Sequence, residues 1–248
     1  MQVLKFKTQP YSIQERIVKS SLNLPYCAYL LEMGMGKTKI LIDVAANLFL
    51  DKKINALLVV APLTLLRNYQ EEVSQHLLDD VQYLFYAYTS KTASTKRDSN
   101  HRKQILQQRF FDGECLKIVV INPEALLSKK AFDFCKTFLS IYKTLLAVDE
   151  AGTILKNIKT KQAKTLLTLS KLAPYRRIMT GTPITQSPLD LFAQYGFLDP
   201  SIIGFKTFTS FRAHFAILVT RFAGARSFLE VKGYKNLERL IERVKFQS

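Results

Sequence analysis

Three short stretches carry residue types suited to phosphate chemistry. The first runs Leu30-Leu31-Glu32-Met33-Gly34-Met35-Gly36-Lys37-Thr38-Lys39-Ile40. Gly34 and Gly36 lack the β-carbon that would keep backbone N–H groups away from an anion, and both tolerate a left-handed backbone. A helix opening at Lys37 would add unpaired N–H groups and the positive end of its dipole. Lys37 would then reach the β- and γ-phosphates of a nucleotide, and the Thr38 hydroxyl would ligate Mg²⁺. The strict phosphate-loop pattern asks for glycine where this chain has Leu31, so a glycine turn that happens to precede Lys-Thr is the bland alternative.

The second stretch is Asp149-Glu150, which closes the apolar run Thr144 to Val148. Asp149 can hold the metal that bridges two phosphates, and Glu150 can orient and deprotonate an attacking water. An acidic pair at a strand end is unremarkable alone; with Gly36-Lys37-Thr38 it acquires a use. The third is Thr180-Gly181-Thr182-Pro183, whose hydroxyls could hydrogen-bond the acidic pair and sense a γ-phosphate.

These stretches need elements that bring them to one place. Unbroken apolar runs at Tyr26 to Leu31, Ala56 to Val60, Lys117 to Ile121 and Thr144 to Val148 read as strands buried on both faces. Val81 to Tyr88 and Arg177 to Thr180 add two more. Helical spacing marks Tyr11 to Ser21, Ile40 to Phe49, about Leu65 to Leu77, His101 to Phe110, Ala125 to Phe138 and Lys161 to Leu172. The alternation implies a mostly parallel, doubly wound α/β sheet with ligands at the carboxyl ends of its strands. Ser90 to Asn100 is polar and aperiodic, which predicts a mobile loop. Beyond Pro200 Phe205, Phe208, Phe211, Phe215, Phe222 and Phe228 are scattered without a clean period. That stretch predicts helices near Ser210 to Ala216 and Asn236 to Lys245, joined by an irregular or hairpin segment.

Composition narrows the partners. The 248 residues carry 36 Lys plus Arg against 20 Asp plus Glu, a formal charge of +16. Such a surplus points to a polyanion, nucleic acid before others, although a basic surface alone would also account for it. Cys27, Cys115 and Cys135 are odd in number and far apart, so neither a disulfide frame nor a zinc site is expected. His76, His101 and His214 show no metal-ligand spacing. The longest apolar run is too short to span a bilayer, and Met1 to Pro10 has no signal-peptide core. A cytosolic location is the default, with no membrane partner.

The order and wording of the stretches resemble the first RecA-like lobe of superfamily 2 helicases, and within them the Swi/Snf-type ATPases. Glu32 to Thr38 resembles that family's first motif, whose short Gly-x-Gly-Lys-Thr form needs no glycine at Leu31. Ala61-Pro62-Leu63-Thr64-Leu65-Leu66-Arg67-Asn68-Tyr69 resembles the next, with Tyr69 where the family often has tryptophan. Asn122-Pro123-Glu124 falls at a strand-end DNA contact. Asp149-Glu150-Ala151-Gly152 with Leu155-Lys156-Asn157 resembles the Asp-Glu-Ala-His box and its follow-up. Thr180-Gly181-Thr182-Pro183-Ile184 and the helix from Leu189 to Pro200 resemble the third motif. Gly152 departs from the usual His or Gln, which puts the link between nucleotide and nucleic acid in doubt, and Gln186 stands where asparagine is common. Gly233-Tyr234-Lys235-Asn236-Leu237 is similar to compact phage and bacterial members.

The resemblance implies a P-loop three-layer sandwich over 1–200 with a small, mainly helical extension over 201–248. It implies ATP and Mg²⁺ as ligands. Nucleotide contacts would come from Gln14 (reading adenine), Met33, Gly34, Met35, Gly36, Lys37, Thr38 and Lys39, with Lys37, Asp149 and Glu150 catalytic. Thr38 and Asp149 would hold the metal, and Thr180, Gly181 and Thr182 would couple the sites. Thr64, Arg67, Asn122, Lys156 and with them Lys159 would contact phosphates of duplex DNA; Lys91, Lys96, Arg97, Arg102 and Lys103 form a second basic cluster that reads equally as a solvated loop. The family's second lobe, which supplies an arginine finger contributing on the order of 10³ to 10⁵ in rate, has no counterpart after Pro200, so it is expected in a longer chain or another polypeptide. The implied activity is that of a DNA-tracking ATPase in a bacterial or phage-infected cytosol. The rivals are a strand-separating DNA or RNA helicase, a non-catalytic ATP-gated binding module and a generic P-loop ATPase.

Overall fold

The computed structural model describes residues 4–89, 96–107, 115–224 and 226–245. In chain order the elements are α1 (Ser12–Ser21), β1 (Tyr26–Leu30), α2 (Lys37–Leu50), β2 (Ala56–Val60), α3 (Leu66–His76), β3 (Tyr83–Tyr88), α4 (Lys96–Gln107), β4 (Leu116–Ile121), α5 (Lys129–Ile141), β5 (Thr144–Asp149) and α6 (Ala151–Ile154). They continue as α7 (Lys161–Ser170), β6 (Tyr175–Thr180), α8 (Leu191–Leu198), α9 (Pro200–Ile203), α10 (Phe208–Phe215), β7 (Ala216–Ala223), β8 (Arg226–Tyr234) and α11 (Leu237–Lys245).

β1 to β6 form one six-stranded sheet in the order β1-β6-β5-β2-β4-β3, and every pairing in it is parallel. β2, β4 and β5 are buried along their whole length, as continuous Val, Ile and Leu runs require when helices cover both faces. One face packs against α1, α2 and α3 through Val18, Ile40, Leu41, Val44, Leu48, Tyr69 and Val73. The other packs against α5, α7 and α8 through Phe138, Leu166, Leu169 and Tyr195. This is the expected three-layer α/β sandwich.

The segment after Pro200 shares the second of these cores. Ile203, Phe211, Phe215 and Leu240 are buried in it, and the rings of Phe192, Phe205, Phe208, Phe211 and Phe215 meet at centroid distances of 4.8–5.7 Å. Aromatic contacts at this spacing add to their area burial. Between α10 and α11 the chain forms a hairpin, β7 against β8, so the hairpin reading of that stretch holds and the irregular one does not.

Two expectations change. Ser90 to Asn100 was expected to be a loop; 90–95 lie outside the described residues, but α4 begins at Lys96 and takes in the rest. Arg102 is not a surface cation. It is buried, with its guanidinium 3.4 Å from the Tyr86 hydroxyl and over the Tyr88 ring, so it anchors α4 to β3. Lys91 and the side chains of Lys96 and Arg97 lie outside what is described, which leaves Lys103 as the exposed member of that cluster.

One clamp holds the edge of the sheet where the first glycine loop begins. Arg177, on β6, is fully buried. Its Nη1 donates to the Pro25 and Arg176 carbonyls at 2.9 and 2.8 Å, its Nη2 to the Ser21 and Leu24 carbonyls at 2.8 and 2.9 Å, and its Nε to the Tyr29 hydroxyl at 3.0 Å. The five donors of a guanidinium all find an acceptor. α1 is thereby fixed to β1 and β6 at its carboxyl end. Arg177→Met should strand the Ser21, Leu24 and Pro25 carbonyls and lower the unfolding free energy by about 3–5 kcal/mol, measured by denaturant titration.

Candidate active site

The strand order decides which loops meet. β1, β6 and β5 are adjacent, so the glycine loop after β1, Thr180-Gly181-Thr182 after β6 and Asp149-Glu150 after β5 lie side by side at the carboxyl edge. β2 and β4 follow, which brings the Thr64 and Asn122 segments next along the same edge.

Gly34 and Gly36 have φ of +82° and +74°, in the left-handed region that favours glycine, and Gly36 caps α2. A β-carbon at Gly36 would also overlap the Gln14 amide nitrogen. That amide is held at both ends: Gln14 Oε1 accepts the Tyr11 N–H at 3.0 Å, and Nε2 donates to the Met35 carbonyl at 3.1 Å. Gln14 therefore caps α1 and pins the loop together. Lys37 Nζ donates to the Leu31 and Glu32 carbonyls at 3.0 and 3.2 Å, so the ammonium lies across its own loop.

Lys39 does not join this group by its side chain. Its Nζ pairs with buried Asp43 at 2.6 Å and lies over the half-buried Phe6 ring. Burial pushes the Asp43 carboxyl up to about 6, against the pull of Lys39. What Lys39 can offer an anion is its backbone N–H. Met33 is almost wholly exposed at 86%, and its contribution is also the loop backbone.

Asp149 ends β5 buried at 4% exposure. Its Oδ1 accepts the Glu150 N–H at 3.0 Å and its Oδ2 accepts the Tyr69 hydroxyl at 2.8 Å. Burial raises its pKa, opposed by Tyr69, the Glu150 amide and the Lys37 charge. Glu150 has φ +53°, a left-handed conformation that costs a non-glycine residue about 1–3 kcal/mol. That turn aims its carboxylate at the cleft, where burial and the Asp149 charge raise its pKa. Met33, Gly34, Gly36, Lys37, Thr38, Leu65, Glu72, Asp149 and Glu150 line a cleft of about 280 Å³.

The donor set suits Mg²⁺. One hydroxyl and one carboxylate at a phosphate-sized cleft are what Mg²⁺ takes from a protein when phosphates and water supply the rest. Among the described residues no cluster of three or more His, Cys, Asp or Glu could cage a metal by itself.

Thr180-Gly181-Thr182 is pressed between the other two loops. Thr180 is buried, and its hydroxyl accepts the Thr182 N–H at 3.1 Å. A β-carbon on Gly181 would lie 3.3 Å from the Leu31 carbonyl oxygen, at the glycine loop. A β-carbon on Gly152, at the start of α6, would overlap the Thr182 carbonyl oxygen and crowd the Thr180 hydroxyl at 2.9 Å. The residue type that departs from the family pattern is thus what lets α6 touch this segment directly.

The proposed DNA contacts fare unequally. Thr64 and Arg67 are exposed, and Lys156 is half-buried beside Asn157, Lys159, Gln186 and Asp190 in a second cleft. Asn122 reaches the edge but is buried, with Nδ2 donating to Glu124 at 2.8 Å. The Tyr69 link to Asp149 and the Glu72 carboxylate on the cleft wall had no sequence signal beyond their place on α3.

A family model described as an SNF2-related domain matches residues 27–246. The chain is 31% identical over 175 residues to Protein CHROMATIN REMODELING 24 of Arabidopsis thaliana, covering 71% of this chain and 15% of that protein. It is 31% identical over 172 residues to Transcription regulatory protein SNF2 of Saccharomyces cerevisiae (69% and 9%), and 27% identical over 217 residues to the DNA repair and recombination protein RAD54-like of Gallus gallus (85% and 28%). The chain therefore spans less than a third of the length of these relatives. Among solved structures, the Sulfolobus solfataricus SWI2/SNF2 ATPase core in complex with dsDNA shares the fold with a TM-score of 0.64 at 22% identity, covering 87% of this chain and 41% of that one. The UvsW helicase from Bacteriophage T4 gives a TM-score of 0.51 at 14% identity, covering 77% and 58%. No helix among the described residues is long and apolar enough to cross a membrane.

Gly152→Ala should cost about 1–3 kcal/mol of stability through overpacking against Thr182, read as a lower melting temperature; Gly34→Ala, whose β-carbon meets no neighbour, should cost only the strain of its left-handed backbone, about 1–2 kcal/mol.

Proposed function

The chain belongs to the SNF2-related domain family, and from that premise we propose that it is the ATP-binding lobe of a motor that couples ATP hydrolysis to tracking on duplex DNA. The observation that carries the reading is the packing of the glycine loop, the acidic turn and Thr180-Gly181-Thr182 against one another at a single sheet edge.

In this reading the backbone N–H groups of Met33 to Lys39 cradle the phosphates, and Lys37 leaves its own loop carbonyls to meet the β- and γ-phosphates. Gln14 orients the base. Thr38 and Asp149 hold Mg²⁺, which when bound neutralises charge on the β- and γ-phosphate oxygens. Glu150 positions the attacking water and takes its proton, a role its raised pKa suits. Thr180, Gly181 and Thr182 transmit the state of the γ-phosphate to the neighbouring loops. Thr64, Arg67, Asn122 and Lys156 contact DNA phosphates, Asn122 once its amide is released from Glu124; such contacts carry little sequence information. We assign 1–200 to the RecA-like lobe and 201–248 to an extension leading towards a second lobe, in cis or in trans, that completes the site. The Gly233 to Leu237 stretch supports a compact bacterial or phage member acting in the cytosol.

ATP turnover measured with and without duplex DNA, for this chain and Lys37→Ala, tests the reading. A DNA-stimulated rate that falls about 10²-fold in the variant supports it. Nucleotide binding with no turnover, even when a second lobe is supplied, favours a non-catalytic ATP-gated module instead. Duplex binding should weaken steeply with salt, with a log–log slope near −0.9 per phosphate contacted; an affinity indifferent to salt removes DNA from the proposal.

A further inference from the structure

Tyr69 is outside the donor set derived above, yet its phenol is bonded to one of the groups proposed to hold Mg²⁺. Its hydroxyl donates to Asp149 Oδ2 at 2.8 Å. The side chain is 2% exposed, held by the packing of α3 on the sheet. Asp149 Oδ1 is engaged by the Glu150 N–H. With one hydrogen bond on each oxygen the carboxylate cannot rotate freely, and its remaining lone pairs are left for the cleft.

We propose that Tyr69 is a positioning residue for the Mg²⁺–nucleotide complex, holding the Asp149 carboxylate in the orientation that leaves its free lone pairs to the cleft. The inference rests on the reading of this cleft as a Mg²⁺–nucleotide site. The hydrogen bond further ties α3, which carries Arg67 on its exposed side, to the proposed metal site.

The test is a titration of a fluorescent ADP analogue with Mg²⁺ present and with EDTA, on the wild-type chain, Tyr69→Phe, Asp149→Asn and the double variant. Tyr69→Phe keeps the ring and its packing, which its melting temperature checks. It should weaken nucleotide binding in Mg²⁺ by about 10-fold or more, the loss expected for one hydrogen bond to a charged group. Affinity in EDTA should stay within about twofold, and the Phe substitution should add nothing once Asp149 is Asn. Unchanged or tighter binding of Tyr69→Phe in Mg²⁺, an equal loss with and without the metal, or an additive loss in the double variant overturns the proposal. A wild-type chain that binds no nucleotide, or binds it without regard to Mg²⁺, overturns instead the reading beneath it.

Discussion

Two missing β-carbons organise this molecule. Gly181 lies against the Leu31 carbonyl and Gly152 against the Thr182 carbonyl, so the end of β6 is wedged between the phosphate loop and the acidic turn. Interiors are packed like crystals, so neither contact leaves room for a side chain. The parallel order β1-β6-β5 makes the contact available, and the glycines make it close. The His or Gln usual in the family at the Gly152 position would have to reach across; here backbone meets backbone.

How much of this was legible follows from the range of each interaction. The sheet could be read because β2 is an unbroken apolar run and β4 and β5 are apolar apart from Lys117, Thr144 and Asp149, and short runs of that kind bounded by turns read as buried strands. The site loops could be read because a parallel sheet delivers every strand end to one edge. Tyr69 could not, since its partner Asp149 is 80 residues away and nothing local to α3 announces it. Nor could Arg177, which looks like one more cation in a basic chain until α1 folds over it. Lys39 illustrates an opposite failure. It sits in a convincing Gly-Lys-Thr-Lys run, but two helical residues are roughly 200° apart around the axis, so Lys37 and Lys39 point to different sides. Arg102 was likewise grouped with its charged neighbours when its surroundings are Tyr86 and Tyr88.

The carboxyl edge also divides its work along its length. Towards β1, β6 and β5 it offers backbone N–H groups, one hydroxyl and two carboxylates whose pKa values are raised by burial, the proposed place for phosphates and a metal. Towards β2 and β4 it offers exposed Thr64 and Arg67 and the amide of Asn122, the proposed contacts for a nucleic-acid backbone. Tyr69 lies at the seam, on the helix that begins in the second region and packs against the first.

The Arg177 clamp has a quiet property. All five of its acceptors are neutral oxygens, four carbonyls and one hydroxyl, and none is a carboxylate. A carboxylate in that position would be lost in acid, whereas carbonyl oxygens do not titrate. The seat of α1, the helix that carries Gln14, therefore depends on no acidic partner. In a chain with a charge of +16, the frame beside the proposed nucleotide site is thus held by carbonyl dipoles and not by one more ion pair.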